Sequence, residues 1–268
     1  MNHPKLEIEN ELIAKGHKYI CGVDESGVGA FAGGFTVGAL ILDLSKPYIE
    51  GIDDSKKLTK KKKRELEPLI KESCIDYSVV YVSAKEINEA YKEVQGQTGS
   101  FRKLHLNAMR QAVLNLKVKP DYVIVDGVYI VPNISIKQIA VIKGDQKSAS
   151  VAGASILARV YRERVMEELA TKYNGYTHWQ ETYGYCSTQE IVALNKLGVT
   201  PEHRTCFIED TLNHKTGKIK EVNGKLIMKE CPKSKGTGLC QCPCDYIKYA
   251  KEYQLEVGCP NGKQNTRI

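Results

Sequence analysis

A mixed α/β domain is what this sequence predicts, and three observations carry that reading. Short runs rich in β-branched and aliphatic residues alternate with segments of helical composition from Tyr19 to about Lys196. Two of those runs, at 19–23 and 121–125, lead directly into a carboxylate, Asp24 and Asp126. A chain of 268 residues that is 42% hydrophobic and 26% charged has enough apolar material for a sizeable packed core. That balance excludes a wholly disordered or collagen-like chain, and the length excludes a small disulfide scaffold.

The first strand is predicted at 19–23, running into Asp24-Glu25-Ser26-Gly27 and a glycine-rich stretch that ends at Gly34. Strands follow at 35–42 and at 75–82, the latter with alternation from Tyr77 onward. Between them, 59–72 has helical composition with a broad charged face. Ser83-Ala84-Lys85-Glu86 is a capping box and opens a helix through Val94; residues 101–116 repeat apolar side chains at helical spacing. Pro120 breaks the chain before the buried strand 121–125, which ends in Asp126-Gly127. A further strand at 135–142 leads into Lys143-Gly144-Asp145 and a long helix over 148–173. Its Ala152, Gly153, Ala154 and Ser155 are small enough for close packing on a sheet. A second capping box, Ser187-Thr188-Gln189-Glu190, starts a helix through Lys196, and the α/β domain is expected to end near Asp210.

Charge divides unevenly. The chain carries 39 basic and 32 acidic side chains, a net +7, of which 11 and 5 fall in residues 211–268. The basic tail therefore holds +6 of the surplus, a moderate excess compatible with phosphate-rich partners. No run approaches the apolar length of a membrane span, and the first ten residues mix Lys and Glu without an apolar core. The expectation is a soluble protein without a membrane partner or secretion signal, cytoplasmic, or nuclear in a eukaryotic host. On that footing the nine cysteines are read as reduced thiols.

Asp24, Glu25 and Asp126 are the first candidates for chemistry. Carboxylates at the ends of adjacent buried strands repel one another, and a hard divalent cation, Mg²⁺ or Mn²⁺, relieves that repulsion with oxygen ligands. Taken singly, each Asp is better read as a turn former. The wider pattern decides between the readings. Gly22-Val23-Asp24-Glu25-Ser26-Gly27 is followed by Asp53-Asp54-Ser55-Lys56-Lys57-Leu58, Asp126-Gly127, Ile142-Lys143-Gly144-Asp145 and Ala154-Ser155-Ile156-Leu157-Ala158-Arg159-Val160, and then by His203-Arg204. In order and spacing over roughly 18–208 this resembles the type 2 ribonuclease H family, ribonuclease HII.

The resemblance implies a ribonuclease H-like fold: a mixed five-stranded sheet flanked by helices, with further C-terminal helices. It also implies an endonuclease that hydrolyses the RNA strand of RNA/DNA hybrids and incises at ribonucleotides embedded in duplex DNA. Two metal ions would act at the site, leaving 3′-hydroxyl and 5′-phosphate ends. Asp24, Glu25 and Asp126 match three of the family's four metal-binding carboxylates. The fourth is expected on the long helix, where the family has Arg-Asp and this chain has Arg162-Glu163, so Glu163 is assigned to it. Arg164, Glu167 and Glu168 are expected to be solvated helix charges.

The same resemblance assigns substrate contacts to Ser26, Gly27, Gly29, Ser55, Lys56, Lys143, Tyr185 and Arg204. Val28 stands where the family has arginine in Gly-Arg-Gly, which removes a charged phosphate contact but keeps both glycines. Tyr185 is placed on the sugar at the ribonucleotide junction, with Tyr183 an alternative register. The basic run Lys56-Lys57 and Lys60 to Arg64 reads equally as a phosphate track or a solvated face. Two other readings remain open: a catalytically weakened hybrid-binding protein, motivated by Val28 and Glu163, and an integrase- or resolvase-like nuclease, against which the Asp54-Ser55-Lys56 and Lys143-Gly144-Asp145 contexts argue.

Residues 211–268 fall outside the resemblance. Cys231, Cys240, Cys242, Cys244 and Cys259 supply enough soft ligands for tetrahedral Zn²⁺, although paired Cys-x-x-Cys knuckles are lacking. The competing reading is a loosely folded basic extension with reduced thiols. A hairpin is predicted around Asn223-Gly224.

Overall fold

The computed structural model describes residues 6–93, 98–208, 219–222 and 225–228. It separates into two compact units, Met1–Val28 with Gly34–Val165, and Gly29–Gly33 with Met166–Ile268. The units thus part inside a helix.

The first unit contains α1 (Glu7–Ala14), β1 (Ile20–Ser26), β2 (Phe35–Leu42), α2 (Lys60–Ser73), β3 (Cys74–Val82), α3 (Ala84–Glu93), α4 (Thr98–Leu114), β4 (Tyr122–Asp126), β5 (Lys137–Val141) and α5 (Gly144–Lys147). Helix α6 (Ala149–Lys172) starts there and ends in the second unit. The strands form one mixed sheet in the order β3-β2-β1-β4-β5, antiparallel from β3 to β1 and parallel from β1 through β5. The predicted strands and main helices are present within a few residues of their expected bounds. The α5–α6 break at Ser148 is new, and so is α1.

Helix α1 carries little local signal because its octapeptide is short and half polar, with three glutamates; tertiary contacts hold it. Leu12 enters the core, and the fully buried Glu9 accepts bonds from Ser148 Oγ at 2.6 Å and from the Ser150 amide at 3.0 Å. The first turn of α6 is thereby tied to the N-terminal segment.

Close approach of α6 to the sheet positions the site. A Cβ on Gly22 of β1 would lie 2.2 Å from the backbone of Ser150, and one on Gly38 of β2 would lie 2.4 Å from the Ala154 carbonyl. Small residues in the helix were expected to allow this contact; the strands contribute bare positions of their own. Gly22→Ala is predicted to cost about 3 kcal/mol, the upper range for overpacking against a main chain that cannot yield. Urea unfolding followed by circular dichroism checks it, and an unchanged midpoint would show that α6 yields at this contact.

The second unit contains the remainder of α6, α7 (Trp179–Thr182), α8 (Thr188–Leu197) and the antiparallel pair β6 (Ile219–Val222) and β7 (Lys225–Met228). The expected hairpin is therefore present. The core of this unit gathers Ala32, Met166, Ala170, Tyr176, Trp179 and Ala193. Ser187 caps α8 by accepting from the Glu190 amide at 3.1 Å, as its capping box predicts. The tail cysteines lie outside the described residues. Among those described, Cys21 and Cys74 are free thiols. No described helix is long and apolar enough to cross a membrane.

Candidate active site

Strand register brings the predicted carboxylates together. Val23 of β1 pairs with Val125 of parallel β4, so Asp24 and Asp126 each follow a matched pair at the carboxyl ends of neighbouring strands. Side chains alternate faces along a strand. Asp24 therefore shares the α6 face with Gly22, and a Ser155 side-chain bond reaches it there. Glu25 turns to the opposite face, where His105 of α4 stands 3.5 Å away. Asp126 accepts the Gly144 amide at 2.6 Å, which places α5 against the end of β4.

That last contact identifies a carboxylate that the sequence pattern did not single out. Asp145, one residue into α5, is buried, and its pKa is pushed up to about 6 by burial, then by the charges of Asp54 and Asp126. A signal for it exists: Lys143-Gly144-Asp145 follows β5, so a third strand on this sheet leads into an acid. Asp54 is buried beside it. Burial opposes ionisation of Asp54, but bonds from the Lys56 amide, Gln146 and Asp145 hold its carboxyl below the usual range.

Charge at the site is not balanced by side chains alone. Burial, then the charges of Glu25 and Asp126, raise Asp24 well above an ordinary carboxylate despite bonds from Ser155 and its neighbour's amide. Burial also raises Asp126, with the Gly144 amide and the Lys56 charge opposing and Glu25 adding to the shift. Glu25 Oε2 is buried and lacks a hydrogen bond. An all-oxygen donor set with unrelieved mutual repulsion suits a hard divalent cation. Among the described residues no three donors already stand close enough to enclose one, so the fit rests on donor chemistry and charge.

Glu163 does not join this group. Its Oε1 is bonded by Lys63 of α2 and lies 3.6 Å from Arg159, with both Lys63 and Glu163 buried. The physical reason is helix rise: Glu163 lies eight residues beyond Ser155, about 12 Å along α6 from the residue that touches Asp24. The expectation for Glu163 is corrected accordingly; the structure makes it half of a buried ion pair. Lys63 likewise leaves the exposed basic run. Arg164, expected to be solvated, makes two bonds to Glu67, at 2.9 and 2.5 Å.

The expected substrate contacts divide by environment. Lys56 and Lys143 are exposed, and Lys56 lies near enough to lower the pKa of Asp126 and Asp145. Ser26 is buried at the end of β1. Ser55 is buried too, its hydroxyl 2.8 Å from that of Ser155, so it supports the Ser155–Asp24 contact from behind. Gly27 has φ +88°, and a Cβ there would strike the side chain of buried Arg162, whose Nε donates to the Gly34 carbonyl at 2.9 Å. Gly29 differs: it is exposed, and an added Cβ would meet nothing within 4 Å. The fold makes no steric demand for glycine there, which leaves the backbone open to an external ligand.

In the second unit, Tyr185 follows a left-handed turn at Tyr183 (φ 50°) and Gly184 (φ 71°), its amide bonded to the Thr182 carbonyl at 3.0 Å. Arg204 is fully buried and donates from Nε to the Gly33 carbonyl at 2.7 Å, while its amide bonds the Phe31 carbonyl. Its guanidinium faces protein, which corrects the expectation of a direct substrate contact. Segment 29–33 is instead what Arg204 holds.

A family model described as Ribonuclease HII matches residues 21–209. The Ribonuclease HII of Caldicellulosiruptor bescii is 44% identical over 209 residues, covering 78% of this chain and 95% of the relative. That of a Ruegeria species is 42% identical over 207 residues, covering 77% and 85%. Among solved structures, the ribonuclease H2 of Pyrococcus horikoshii aligns with a TM-score of 0.58 at 26% identity, over 74% of this chain and all of that one. Ribonuclease HII of Archaeoglobus fulgidus, solved in a complex with PCNA, gives 0.53 at 25% identity over 66% and 85%. The family match stops at residue 209, before the cysteine-rich tail, so the zinc expectation gains no support. With the sheet order, the clustered acids and the matched span in agreement, the chain belongs to the ribonuclease HII family, metal-dependent endoribonucleases that cleave the RNA of RNA/DNA hybrids.

Proposed function

We propose that this protein incises duplex DNA at embedded ribonucleotides as well as cleaving the RNA strand of hybrids, leaving 3′-hydroxyl and 5′-phosphate ends. The observation that carries the reading is the buried Asp24, pressed by Glu25 and Asp126 on a face that Ser155 closes. Asp24, Glu25, Asp126 and Asp145 would hold two divalent ions, Mg²⁺ or Mn²⁺. Bound there, such ions supply a nucleophilic water and stabilise charge on the leaving oxygen.

The chain's own residues do the rest. Lys56 and Lys143, both exposed, offer positive charge to phosphates flanking the cut. The resemblance assigns recognition of the ribose 2′-hydroxyl to the backbone of Gly27 and Gly29 and stacking on a sugar to Tyr185, each within its own unit. A Cβ at Gly27 would strike the Arg162 side chain, so the position takes only glycine. The weakened-enzyme reading loses one of its motives, because Glu163 does not occupy the fourth ligand position.

The test compares three labelled duplexes: one with a single ribonucleotide, one a continuous hybrid, one all DNA. Cleavage of the first two and not the third is expected. Asp145→Asn should reduce turnover by about a hundredfold or more, whereas Glu163→Gln should leave turnover within about threefold while lowering the unfolding midpoint. Full activity in Asp145→Asn together with loss in Glu163→Gln would restore the original assignment. Cleavage of the all-DNA duplex alone would overturn the function.

A further inference from the structure

Helix α6 begins with more help than a helix end requires. Helices α2 and α8 are each capped by one hydroxyl, Thr59 Oγ1 accepting the Lys62 amide and Ser187 Oγ accepting the Glu190 amide. Ser148 does the same for α6, accepting the Val151 amide at 3.2 Å. Glu9 is then added from α1: its Oε1 takes the Ser148 hydroxyl at 2.6 Å and the Ser150 amide at 3.0 Å, and the residue has no exposure. Burying a carboxyl is costly, and burial raises the Glu9 pKa against the bonds from Ser148 and Ser150. The position therefore gains from an acceptor oxygen and not from a charge. Glu9 lies ahead of the matched span 21–209 and outside the motifs that carry the family resemblance.

What it holds is the joint between two helices that reach the acids. Ser148 has extended backbone (φ −127°, ψ 125°). It ends α5 by donating its amide to the Gly144 carbonyl at 2.8 Å, and its own carbonyl accepts the Ala152 amide at 3.0 Å as α6 starts. On one side of the joint, α5 presents the Gly144 amide to Asp126 and carries Asp145. On the other, α6 carries Ser155, which bonds Asp24. Ser150 is seated where Gly22, two residues before Asp24, leaves no room for a Cβ. The glutamate is itself fixed by apolar neighbours on either side: Leu6 shares a core with Ala149 and Ala152, and Leu12 another with Val151, Ile20 and Ile124.

A displacement of this joint moves both arms of the acidic cluster. We propose that Glu9 is a positioning residue for cleavage: acting through Ser148 and Ser150, it sets Asp145 and Ser155 in register with Asp126 and Asp24. The proposal rests on the catalytic reading of those carboxylates.

Two substitutions in the full-length protein separate position from stability. Glu9→Gln keeps the acceptor oxygen; Glu9→Leu keeps the bulk and loses it. On the duplex with a single ribonucleotide, Glu9→Leu should lower kcat by about thirtyfold, within the range that a small misplacement of reacting groups costs, and leave KM within about twofold. Glu9→Gln should keep kcat within about threefold of wild type. Hydrogen exchange followed by mass spectrometry gives a readout independent of turnover. In the metal-free protein, peptides spanning 144–151 should exchange about tenfold faster in Glu9→Leu, while those of β1 and β4 keep wild-type protection. Should Glu9→Leu not fold, Ser148→Ala breaks the same link and leaves the packing of Leu6 and Leu12 in place; it should lower kcat by about tenfold with KM unchanged. Full kcat in a folded Glu9→Leu, or exchange that rises equally in β1, β4 and 144–151, overturns the role of Glu9 and leaves the acidic site standing. A wild type that cleaves neither the hybrid nor the ribonucleotide duplex overturns the catalytic reading and this proposal together.

Discussion

Asp24→Asn is expected to lower strand cleavage by about a thousandfold or more and at the same time to raise the melting temperature of the metal-free protein. Both effects have one origin. Asp24 is almost wholly buried, and burial, followed by the charges of Glu25 and Asp126, raises its pKa well above that of a free carboxylate. A carboxyl whose pKa is raised by folding favours the folded state fully below its unfolded pKa. It loses that contribution as pH rises through the folded value. Where the group is ionised it is thus a burden, which protonation or a bound cation relieves. The amide keeps the shape and an acceptor for Ser155 while removing the charge. A gain of about 1 kcal/mol, or roughly 3 °C, is expected in EDTA at neutral pH, shrinking as the pH is lowered through the carboxylate range. Scanning calorimetry with EDTA and with Mn²⁺ checks this. Mn²⁺ should stabilise the wild type and not the variant. A variant that melts below the wild type in EDTA would show that Asp24 is not under electrostatic strain.

Glu190→Ala is expected to be the most destabilising single change in the second unit, by about 3–5 kcal/mol. Glu190 has no exposure and accepts from Trp179 Nε1 at 2.7 Å, with His178 Nε2 at 2.7 Å and His203 Nε2 at 3.0 Å. His203 Nδ1 accepts the Thr200 amide at 2.8 Å, so Nε2 carries the proton that Glu190 receives. Removing the carboxylate leaves these donors buried without an acceptor. Burial raises the Glu190 pKa, but the bonds from His178, His203 and Trp179 outweigh it and hold the carboxyl below its ordinary range. The sign therefore opposes that of Asp24: this stabilisation is present above the unfolded pKa and disappears as pH falls through the folded one. Trp179, the single tryptophan of the chain, makes its fluorescence a direct reporter of this unit. The variant should shift that transition strongly at pH 7 and less in acid. A shift under about 1 kcal/mol would mean that the network is not cooperative.

How much of this was legible follows from where each interaction lies along the chain. Strands with β-branched runs, capping boxes at Ser83 and Ser187, and the turn at Asp126-Gly127 are local, and each appears where composition placed it. The Asp24, Glu25 and Asp126 cluster was legible because strand ends converge by topology. Glu163 was misplaced because a motif gives an order of residues and not the rise of α6, and its buried partner Lys63 is 100 residues away. Lys63 read as one more charge in an exposed run for the same reason. Arg204 was placed on the substrate because a basic residue in a motif carries no mark of burial. The strand glycines at 22 and 38 reveal their purpose only when Ser150 and Ala154 are seen against them.

The chain leaves the first unit after Val28 and comes back to it at Gly34, having contributed five residues to the second. A protease nick between Val165 and Met166 would consequently not divide the molecule into its two units, since residues 29–33 of the N-terminal fragment still belong to the second. Truncating the gene at that point would remove the backbone partners of Phe31, Ala32 and Gly33, namely Gly184, Glu202 and Arg204. A catalytic fragment worth expressing therefore has to extend at least through Arg204.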